Sequence, residues 1–486
     1  MSKICTLCVL VIALLVMRVP SAVADAGKTY VVTDYGAVGD GQTLNTKALQ
    51  ALIEKVSTDG GGTVVVPSGT FMTGSLFFKK GVSLEVQKDG VLKGTVNQAD
   101  YPMVQTRFEG IERMFTAALL NWDGVDNASL SGDGTVDGSG DLWMNRGGAR
   151  GRAGGAAGPT TGPTTLAAGR RGGTGPELGR GFATPTTNPL TRGATTGPVA
   201  RGMNGPGRPR LICISNSTNF RVSDIHLTKQ AIWCLHLLYD DNVTVDNVNI
   251  RAVALIPSSD GIDVDSSTHV TIMHCDIDCH DDDIALKSGK DADGRRVNKP
   301  TEYVTITDCT IGAGEGIAMG SEVTGSIRHV LIERCRFNGS NQVVRLKSQP
   351  SRGGVIEDIT YRDCTFQDVR IAYQFLMTWD MRLEAAPQAP VLTQVRNVRI
   401  INVSGTARQL GSMDGINDTD IQDVKWVNCN VTAATGMTIN HATNIDLSGL
   451  KATVTDGPEF VSQNTAAIVY PATQPAAPSP KPNPAG

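Results

Sequence analysis

Short segments in which apolar and polar residues alternate recur along the second half of the chain. The strongest copies occupy residues 269–277, 303–311, 329–337 and 358–366, and weaker ones occupy 219–227, 242–250, 397–404 and 423–431. Strict alternation is typical of a β-strand with one buried face. The strong copies share a cysteine at one position, and Cys275, Cys309, Cys335 and Cys364 are separated by 34, 26 and 29 residues. A strand that returns at such intervals predicts a solenoid.

A second strand family accompanies the first. Residues 262–266 align with 284–288, 317–321 and 344–348, with an apolar residue at the first and third position of each copy. Those side chains would stack inward, and the alternate residues would face outward. We therefore predict an all-β, right-handed parallel β-helix. A β-propeller fits less well, because it needs about four strands in each ~40–50-residue repeat.

One amphipathic helix is predicted near the start of the chain. Residues 45–56 place Ala48, Leu49, Leu52, Ile53 and Val56 on one helical face. Such a helix would cap the open end of the solenoid, where unpaired strand edges would otherwise be exposed.

The alignment of the second strand family also brings acidic residues together. Asp260, Asp282 and Glu315 precede their strands at equivalent positions, and Asp281 lies one residue earlier than Asp282. Neighbouring strands are ~4.8 Å apart, so carboxylates one or two strands apart are separated by roughly 5–10 Å. That range includes the ~6.5–9.5 Å by which inverting glycosidases separate their two carboxyl groups. Paired carboxylates at this spacing point to acid–base cleavage of a sugar linkage.

Two cationic residues share this surface. Arg345 and Lys347 alternate on the outward face of the last copy. They are the groups that an anionic sugar needs. A structural ion pair with Asp263 or Asp265 is the alternative, just as the acidic residues could be solvated loop carboxylates.

Four motifs resemble the polygalacturonase family, glycoside hydrolase family 28, which has a pectin-lyase-like β-helix. SSDGIDVDSS at 258–267, HDDDIALKSG at 280–289, GEGIAMGS at 314–321 and VVRLKS at 343–348 follow the order of the family's NTDGID, GDDCIAIKSG, GHGISIGS and RIK. TDYGAVGDG at 33–41 and GGGTVVVPSGTF at 60–71 extend the resemblance toward the N-terminus. The resemblance implies that Asp281 is the general acid, that Asp260 and Asp282 activate water, and that Arg345 and Lys347 bind a galacturonate carboxylate.

The chain departs from the family pattern at two positions. The histidine of the family site is replaced by Glu315, and the cysteine of GDDC is replaced by Asp283. Glu315 remains a candidate for substrate binding. His236, close to Trp233, is a secondary candidate for the sugar cleft, with a core role as the alternative. No cofactor and no metal are expected, although a further carboxylate could favour Ca²⁺.

Composition and the chain ends complete the expectations. Residues 1–24 are typical of a secretory signal peptide, and residues 25–470 form the predicted catalytic β-helix. A Gly/Arg/Thr/Pro-rich insert spans 145–210, with ten arginines and Glu177 as its one acidic residue, and a Pro-rich tail spans 471–486. The insert is either a surface loop or a cationic arm for a polyanionic polysaccharide. The formal net charge of −4 argues against a nucleic-acid-binding protein.

The eight cysteines after the signal are predicted to be buried thiols rather than a disulfide framework. We thus expect a secreted or periplasmic monomer without a membrane span. It would hydrolyse a pectic, galacturonate-containing polysaccharide or oligouronide with inversion. A β-helix lyase acting on uronides is the first alternative, and a non-catalytic carbohydrate-binding β-helix is the second.

Overall fold

The computed structural model describes residues 27–145, 207–253, 256–379, 386–417 and 421–472. The elements before residue 146 are, in chain order, β1 (Thr29–Val31), β2 (Asp40–Leu44), α1 (Thr46–Thr58), β3 (Gly62–Val66), β4 (Gly69–Thr73), β5 (Leu76–Phe78), β6 (Val82–Val86), β7 (Gly90–Gly94), β8 (Met103–Phe108), β9 (Ile111–Thr116), β10 (Leu120–Asp123), β11 (Ser129–Ser131), β12 (Thr135–Asp137) and α2 (Gly140–Asn145). Two short 3₁₀ helices occupy Val32–Tyr35 and Gln98–Asp100.

The later elements are β13 (Ile212–Ser215), β14 (Thr218–Ser223), β15 (His226–Thr228), β16 (Leu235–Leu238), β17 (Asp241–Asp246), β18 (Asn249–Arg251), β19 (Ile262–Asp265), β20 (Thr268–Met273), β21 (Asp276–Asp278), β22 (Ile284–Lys287), α3 (Asp291–Val297), β23 (Thr301–Thr307), β24 (Thr310–Ile311), β25 (Ile317–Met319), β26 (Ile327–Glu333), β27 (Arg336–Asn338), β28 (Gln342–Lys347), β29 (Val355–Arg362), β30 (Thr365–Leu376), β31 (Gln394–Ile401), β32 (Ser404–Asp414), β33 (Ile421–Val427), β34 (Cys429–Asp446) and β35 (Leu450–Val469).

Thirty-three of these strands form one parallel sheet that winds into a solenoid. Each strand pairs with the strand one turn later, as in the row Val270, Val304, Val330 and Ile359. These side chains are at most 2% exposed, so the inward-facing positions form a continuous core. Burying one such Val or Ile contributes about 1.5–3 kcal/mol, which stabilises each turn against its neighbours. The predicted parallel β-helix is confirmed.

The repeated nine-residue segments are two strands each rather than one. In the copy at 269–277, β20 ends at Met273 and β21 begins at Asp276. Between them His274 has a φ of 54°, the left-handed conformation that turns the chain through a corner. Alternation alone does not show this break, because the apolar positions on both sides of the corner face the same core.

The recurring cysteine lies just after that corner and points inward. The carbonyls of Cys275, Cys309 and Cys335 each accept a backbone hydrogen bond from the residue that follows the cysteine one turn later; these residues are Thr310, Arg336 and Thr365. All eight cysteines among the described residues are buried and free, as predicted. Val248 occupies the equivalent place one turn before Cys275, so the thiols behave here as small apolar side chains.

Helix α1 lies at the N-terminal end of the solenoid. Its buried residues are Leu49, Leu52, Ile53 and Val56, four of the five on the predicted apolar face. The helix packs on β3 and β5, the first turns of the sheet. It therefore covers the end of the core, as the sequence predicted.

Strands β8 and β9 form a separate antiparallel hairpin that the sequence analysis did not predict. The hairpin contacts helix α3 and β-helix turns that lie far along the chain. The proposed signal peptide, nearly all of the insert and most of the tail lie outside the described residues. Within the described ranges, no helix is long and apolar enough to cross a membrane.

Candidate active site

The site is built on four neighbouring strands, β19, β22, β25 and β28. Their parallel register aligns Ile262, Ile284, Ile317 and Val344, all fully buried. Because successive side chains alternate between faces, the residues between these positions point out of the core. The loops before the strands therefore open on one surface, and that surface carries the acidic residues.

Three carboxylates meet at the start of β19 and β22. One oxygen each of Asp260, Asp281 and Asp282 lies within 4.8 Å of the other two. We call these three residues the acid cluster. Asp260 and Asp282 are buried, whereas Asp281 is partly exposed. Gly261 permits this close approach, because a Cβ there would lie 2.4 Å from the backbone oxygen of Asp283.

Asp282 is held by two cations. Arg345 Nη1 lies 2.5 Å from Asp282 Oδ1, and Lys347 Nζ lies 2.8 Å from Asp282 Oδ2. Burial alone would raise the pKa of Asp282, but Lys347 and Arg345 outweigh that effect and hold the pKa below its ordinary value. Asp282 is therefore ionised across the mildly acidic range.

Asp281 is in a different electrostatic position. No cation lies within 4.0 Å of its carboxylate in the described structure, and its Oδ1 accepts a hydrogen bond from the Asp282 backbone N–H at 3.0 Å. Desolvation raises the pKa of Asp281, and the negative charge of Asp282 raises it further. Two adjacent carboxyl groups thus have opposite tendencies, one to lose its proton and one to keep it.

Glu315 lies beside these groups at the column position predicted from the register. Arg345 Nη2 lies 3.1 Å from Glu315 Oε2, so this arginine bridges Asp282 and Glu315. Asn341 Nδ2 donates to Glu315 Oε1 at 2.7 Å. The Glu315 side chain keeps 27% of its surface exposed. The carboxylate that replaces the family histidine is thus fixed by two partners at the edge of the cluster.

The structural ion pairs considered for Arg345 and Lys347 form with other partners. Asp263 pairs with Lys287 and Asp265 pairs with Arg107. Arg345 and Lys347 instead contact the acid cluster, and their side chains are only 3% and 8% exposed.

His236 lies under the groove and not on its surface. Its side chain is fully buried, with Nδ1 2.5 Å from Arg210 Nη1 and Nε2 3.5 Å from Asp265 Oδ2. Burial lowers the pKa of His236 to about 4. This position favours the core role that the sequence left open. Arg210, at the end of the predicted insert, is itself buried and part of this network.

Residues that the sequence analysis missed surround the cluster. Lys287 Nζ lies 3.2 Å from Asp260 Oδ2. Trp379 is partly exposed, and its ring centroid lies 5.3 Å from the Arg345 guanidinium and 5.2 Å from Lys347 Nζ. Lys287 could have been found, since it follows Asp281 and Asp282 in the same motif on an outward position. Trp379 follows a strand outside the four motifs, and no signal in the sequence marks it.

The hairpin β8–β9 packs beside the site, against the end of β19. Arg107 Nη1 contacts Asp265 Oδ1 at 2.8 Å and Ser266 Oγ at 2.7 Å. Phe108 stacks on Phe115 with ring centroids 4.0 Å apart, and it lies 4.7 Å from the Trp233 ring. A buried ion pair and an aromatic cluster thus fasten the hairpin to the surface beside the acid cluster.

The acid cluster is poorly suited to a metal ion. Asp282 already contacts Arg345 and Lys347, and Asp260 already contacts Lys287. These cations compensate the carboxylates that Ca²⁺ would need as ligands.

A wound parallel sheet with clustered carboxylates and cations in an outer groove defines a polysaccharide-processing β-helix. Glycosyl hydrolases family 28 matches residues 197–455, more than half of the chain. The chain belongs to this family and is a glycoside hydrolase, which confirms the resemblance and the predicted enzyme class. Residues 30–93 also match the family described as rhamnogalacturonase A/epimerase, pectate lyase-like.

Several known proteins are similar over most of the chain. A probable polygalacturonase of Vitis vinifera is 27% identical over 456 residues, covering 90% of this chain and 81% of the relative. An exo-poly-alpha-D-galacturonosidase of Dickeya chrysanthemi is 25% identical over 349 residues, covering 70% and 55%. The crystal structure of an exopolygalacturonase from Thermotoga maritima aligns with a TM-score of 0.70 at 25% identity, covering 90% and 91%. A family 28 exopolygalacturonase of Yersinia enterocolitica has the same fold, with a TM-score of 0.71 at 18% identity, covering 92% and 79%.

Proposed function

We propose that this protein hydrolyses the glycosidic bonds of a pectic, galacturonate-containing polysaccharide outside the cell. Asp281 protonates the leaving oxygen, and Asp282 together with Asp260 activates the attacking water. The observation that carries the proposal is the contrast between two neighbours. Lys347 and Arg345 lower the pKa of Asp282, while desolvation and the Asp282 charge raise the pKa of Asp281. Titratable groups whose surroundings drive their pKa values apart are a mark of acid–base pairs.

The cations and the aromatic ring beside the cluster support a uronide as the substrate. Arg345 and Lys347 can offer charge-assisted hydrogen bonds to a sugar carboxylate. The partly exposed ring of Trp379 lies against both cations and presents an apolar surface on which a sugar face can pack. Relatives of this chain are named for polygalacturonase activity, in agreement with this choice.

Inversion is proposed from family membership rather than from distance. The closest oxygens of the acid cluster lie within 4.8 Å, shorter than the ~6.5–9.5 Å usual for inverting enzymes and the ~5–5.5 Å usual for retaining ones. Proton NMR of the first product formed tests the assignment. Galacturonate linkages have the α configuration, so an inverting enzyme releases the β anomer first, and an initial α anomer would overturn the assignment.

We further propose that the enzyme acts from a chain end. On the two turns just before the site, the outward-facing Cys213 and His236 are covered, with 5% and 0% exposed. On later turns the equivalent Gln374 and Ser412 are partly exposed. The β8–β9 hairpin packs on Asp265 and Ser266 beside these covered turns, and we infer that it limits access there to the end of a polymer. Chromatography of early digests should show one short product of fixed length, whereas an initial ladder of oligomers would refute end action.

A panel of polysaccharides tests the hydrolytic activity. Polygalacturonate, methyl-esterified pectin, xylogalacturonan, rhamnogalacturonan and a neutral galactan are assayed for new reducing ends and for ultraviolet absorbance, with and without chelator. We expect reducing ends from galacturonate polymers, no unsaturated product and no effect of chelator. Absorbance that grows with the reducing ends and requires Ca²⁺ would establish the lyase alternative instead. Absence of products from every acidic polymer would refute the proposed function.

A further inference from the structure

Lys287 is the outward-facing residue at the end of β22, directly below the acid cluster. Its strand partner is Asp265, and its side chain is almost completely buried, with 6% of the residue exposed. A lysine is rarely buried unless it is paired, because removing an ammonium group from water is costly. The contacts that compensate this cost therefore indicate what the residue does.

The ammonium group contacts three carboxylates and one ring. Nζ lies 3.2 Å from Asp260 Oδ2, 3.1 Å from Asp263 Oδ1 and 4.0 Å from Glu322 Oε1. It also lies 4.1 Å from the centroid of the Trp233 ring. Only Asp260 among these acids belongs to the acid cluster. Lys287 thus connects one catalytic carboxylate to a buried layer beneath the groove.

The other charged groups near Lys287 have their own partners. Asp265 is paired with Arg107 and faces His236, which lies against Arg210. Asp282 is paired with Arg345 and Lys347. Among the described residues, Lys287 is the one cation within 4.0 Å of Asp260. Lys287 is therefore the ion-pair partner of Asp260, whereas the ion-pair partners of Asp282 are Arg345 and Lys347.

We propose that Lys287 is a positioning residue, which holds Asp260 in place and favours its ionised form for the attack of water. The proposal rests on the proposed function, in which Asp260 is a base. Lys287 contacts no atom that would react, and its effect passes through Asp260. Asp263 and Glu322 compete for the same ammonium group, so the number of protons on these two acids also sets the charge at Asp260.

The electrostatics agree with this geometry. Burial raises the pKa of Asp260 well above its ordinary value, and Lys287 is the largest opposing influence. Burial likewise raises the pKa of Asp263 to about 7. Removal of Lys287 would leave the desolvation of Asp260 unopposed. Because the base must be ionised, activity would then begin only at higher pH.

The test compares the pH dependence of kcat/KM on polygalacturonate for the wild type, Lys287→Met and Lys287→Arg. An opposite charge at this distance typically shifts a carboxyl pKa by about 1–3 units. In Lys287→Met, we expect the acidic limb of the pH profile of kcat/KM to move to higher pH by about that amount. In Lys287→Arg, the limb should return most of the way to its wild-type pH. A folded Lys287→Met with the wild-type acidic limb would overturn the proposal.

Arg352→Met is the matched control. Arg352 is 2% exposed, pairs with Asp291 and donates to the backbone carbonyl of Ser321. The substitution also removes a buried cation, so it should lower the thermal midpoint while leaving the acidic limb unchanged. A similar shift of the acidic limb in Arg352→Met would show that loss of any buried cation moves the pH profile. That result would refute a specific role of Lys287 at Asp260.

A second variant keeps the proposal testable if Lys287→Met does not fold. Asp263→Asn removes a carboxylate that competes for Lys287 and whose charge raises the pKa of Asp260. The acidic limb should then move downward, opposite to Lys287→Met, and an unchanged limb would contradict the proposal.

An activity-independent measurement separates this proposal from the proposed function. Infrared pH-difference spectra report protonated carboxyl groups, and Asp260→Asn identifies the Asp260 band. That band should titrate at higher pH in Lys287→Met than in the wild type, and close to the wild-type pH in Lys287→Arg, even if no pectic substrate is cleaved. An Asp260 band that titrates identically in wild type and Lys287→Met would refute the positioning role, whereas inactivity with a shifted band would refute only the proposed function.

Discussion

Asp281→Asn is the most direct test of the acid assignment. The carboxylate of Asp281 accepts a hydrogen bond from the Asp282 backbone N–H through Oδ1. The amide oxygen of asparagine can accept the same bond, and no ion pair is lost, so the fold should be preserved. The variant loses only the proton that the leaving oxygen needs. General acid catalysis typically contributes ~10²–10⁴-fold, or about 2.7–5.4 kcal/mol of barrier.

The assay uses two substrates that differ in their leaving group. On polygalacturonate, Asp281→Asn should lose at least ~10²-fold in kcat. On an aryl galacturonide, whose phenolate leaves without a proton, the loss should be much smaller, and Asp282→Asn should be impaired on both. Asp278→Asn is a matched control, because Asp278 is a partly exposed carboxylate three residues earlier that accepts the Ala313 N–H. Retention of more than about a tenth of the wild-type rate on polygalacturonate, or equal losses on both substrates, would refute the assignment.

Three further outcomes follow from the charges of the site. Arg345→Ala and Lys347→Ala should weaken uronide substrates far more than neutral ones, since each charge-assisted bond to a carboxylate contributes roughly 1.5–3 kcal/mol; equal KM increases on both substrate types would argue against carboxylate binding. Glu315→His removes a negative charge that raises the pKa of Asp281, so the alkaline limb of kcat/KM should move to lower pH, and an unmoved limb would place Glu315 outside the electrostatic reach of the acid. The pKa of His236 falls to about 4 on folding from an ordinary ~6.5, so the unfolded chain binds more protons between these values. Stability present above pH ~6.5 should thus fall by roughly 3 kcal/mol as the pH drops to about 4, and urea unfolding of His236→Gln should show a flatter dependence over that window.

The β-helix and its register followed from the sequence because the same side-chain pattern returns in every turn. Ile262, Ile284, Ile317 and Val344 each precede an outward-facing residue, and only one alignment buries all four. A shift by one residue would have exposed the entire row. The acidic column was predictable for the same reason, since Asp260, Asp282 and Glu315 have fixed offsets from those apolar positions.

Features that depend on contacts between distant parts of the chain could not be predicted. Arg107 and Asp265 are 158 residues apart, and nothing in either local sequence indicates that they form an ion pair. The hairpin that carries Arg107 interrupts the repeat, so the register does not extend to it. Similarly, Arg345 shares a column with Asp263 but lies three strands away from it, and it pairs instead with Asp282 in the loop before β22.

The charges of the site and of the buried layer beneath it do not balance, and the imbalance has a consequence for catalysis. Six acids share three cations in these ion-paired groups: Asp260, Asp263, Asp281, Asp282, Glu315 and Glu322 against Lys287, Arg345 and Lys347. Three protons would restore neutrality, and four of the six acids, Asp260, Asp263, Asp281 and Glu322, have raised pKa values with desolvation as the first cause.

A bound uronate adds one more negative charge to this site. Asp281 should then hold its proton more tightly in the substrate complex than in the free enzyme. The alkaline limb of kcat reports the complex, whereas that of kcat/KM reports the free enzyme. We therefore expect the kcat limb at the higher pH, so that the anionic substrate itself helps to keep the general acid protonated. Coincident limbs, or a kcat limb at lower pH, would show that Arg345 and Lys347 fully screen the substrate charge from Asp281.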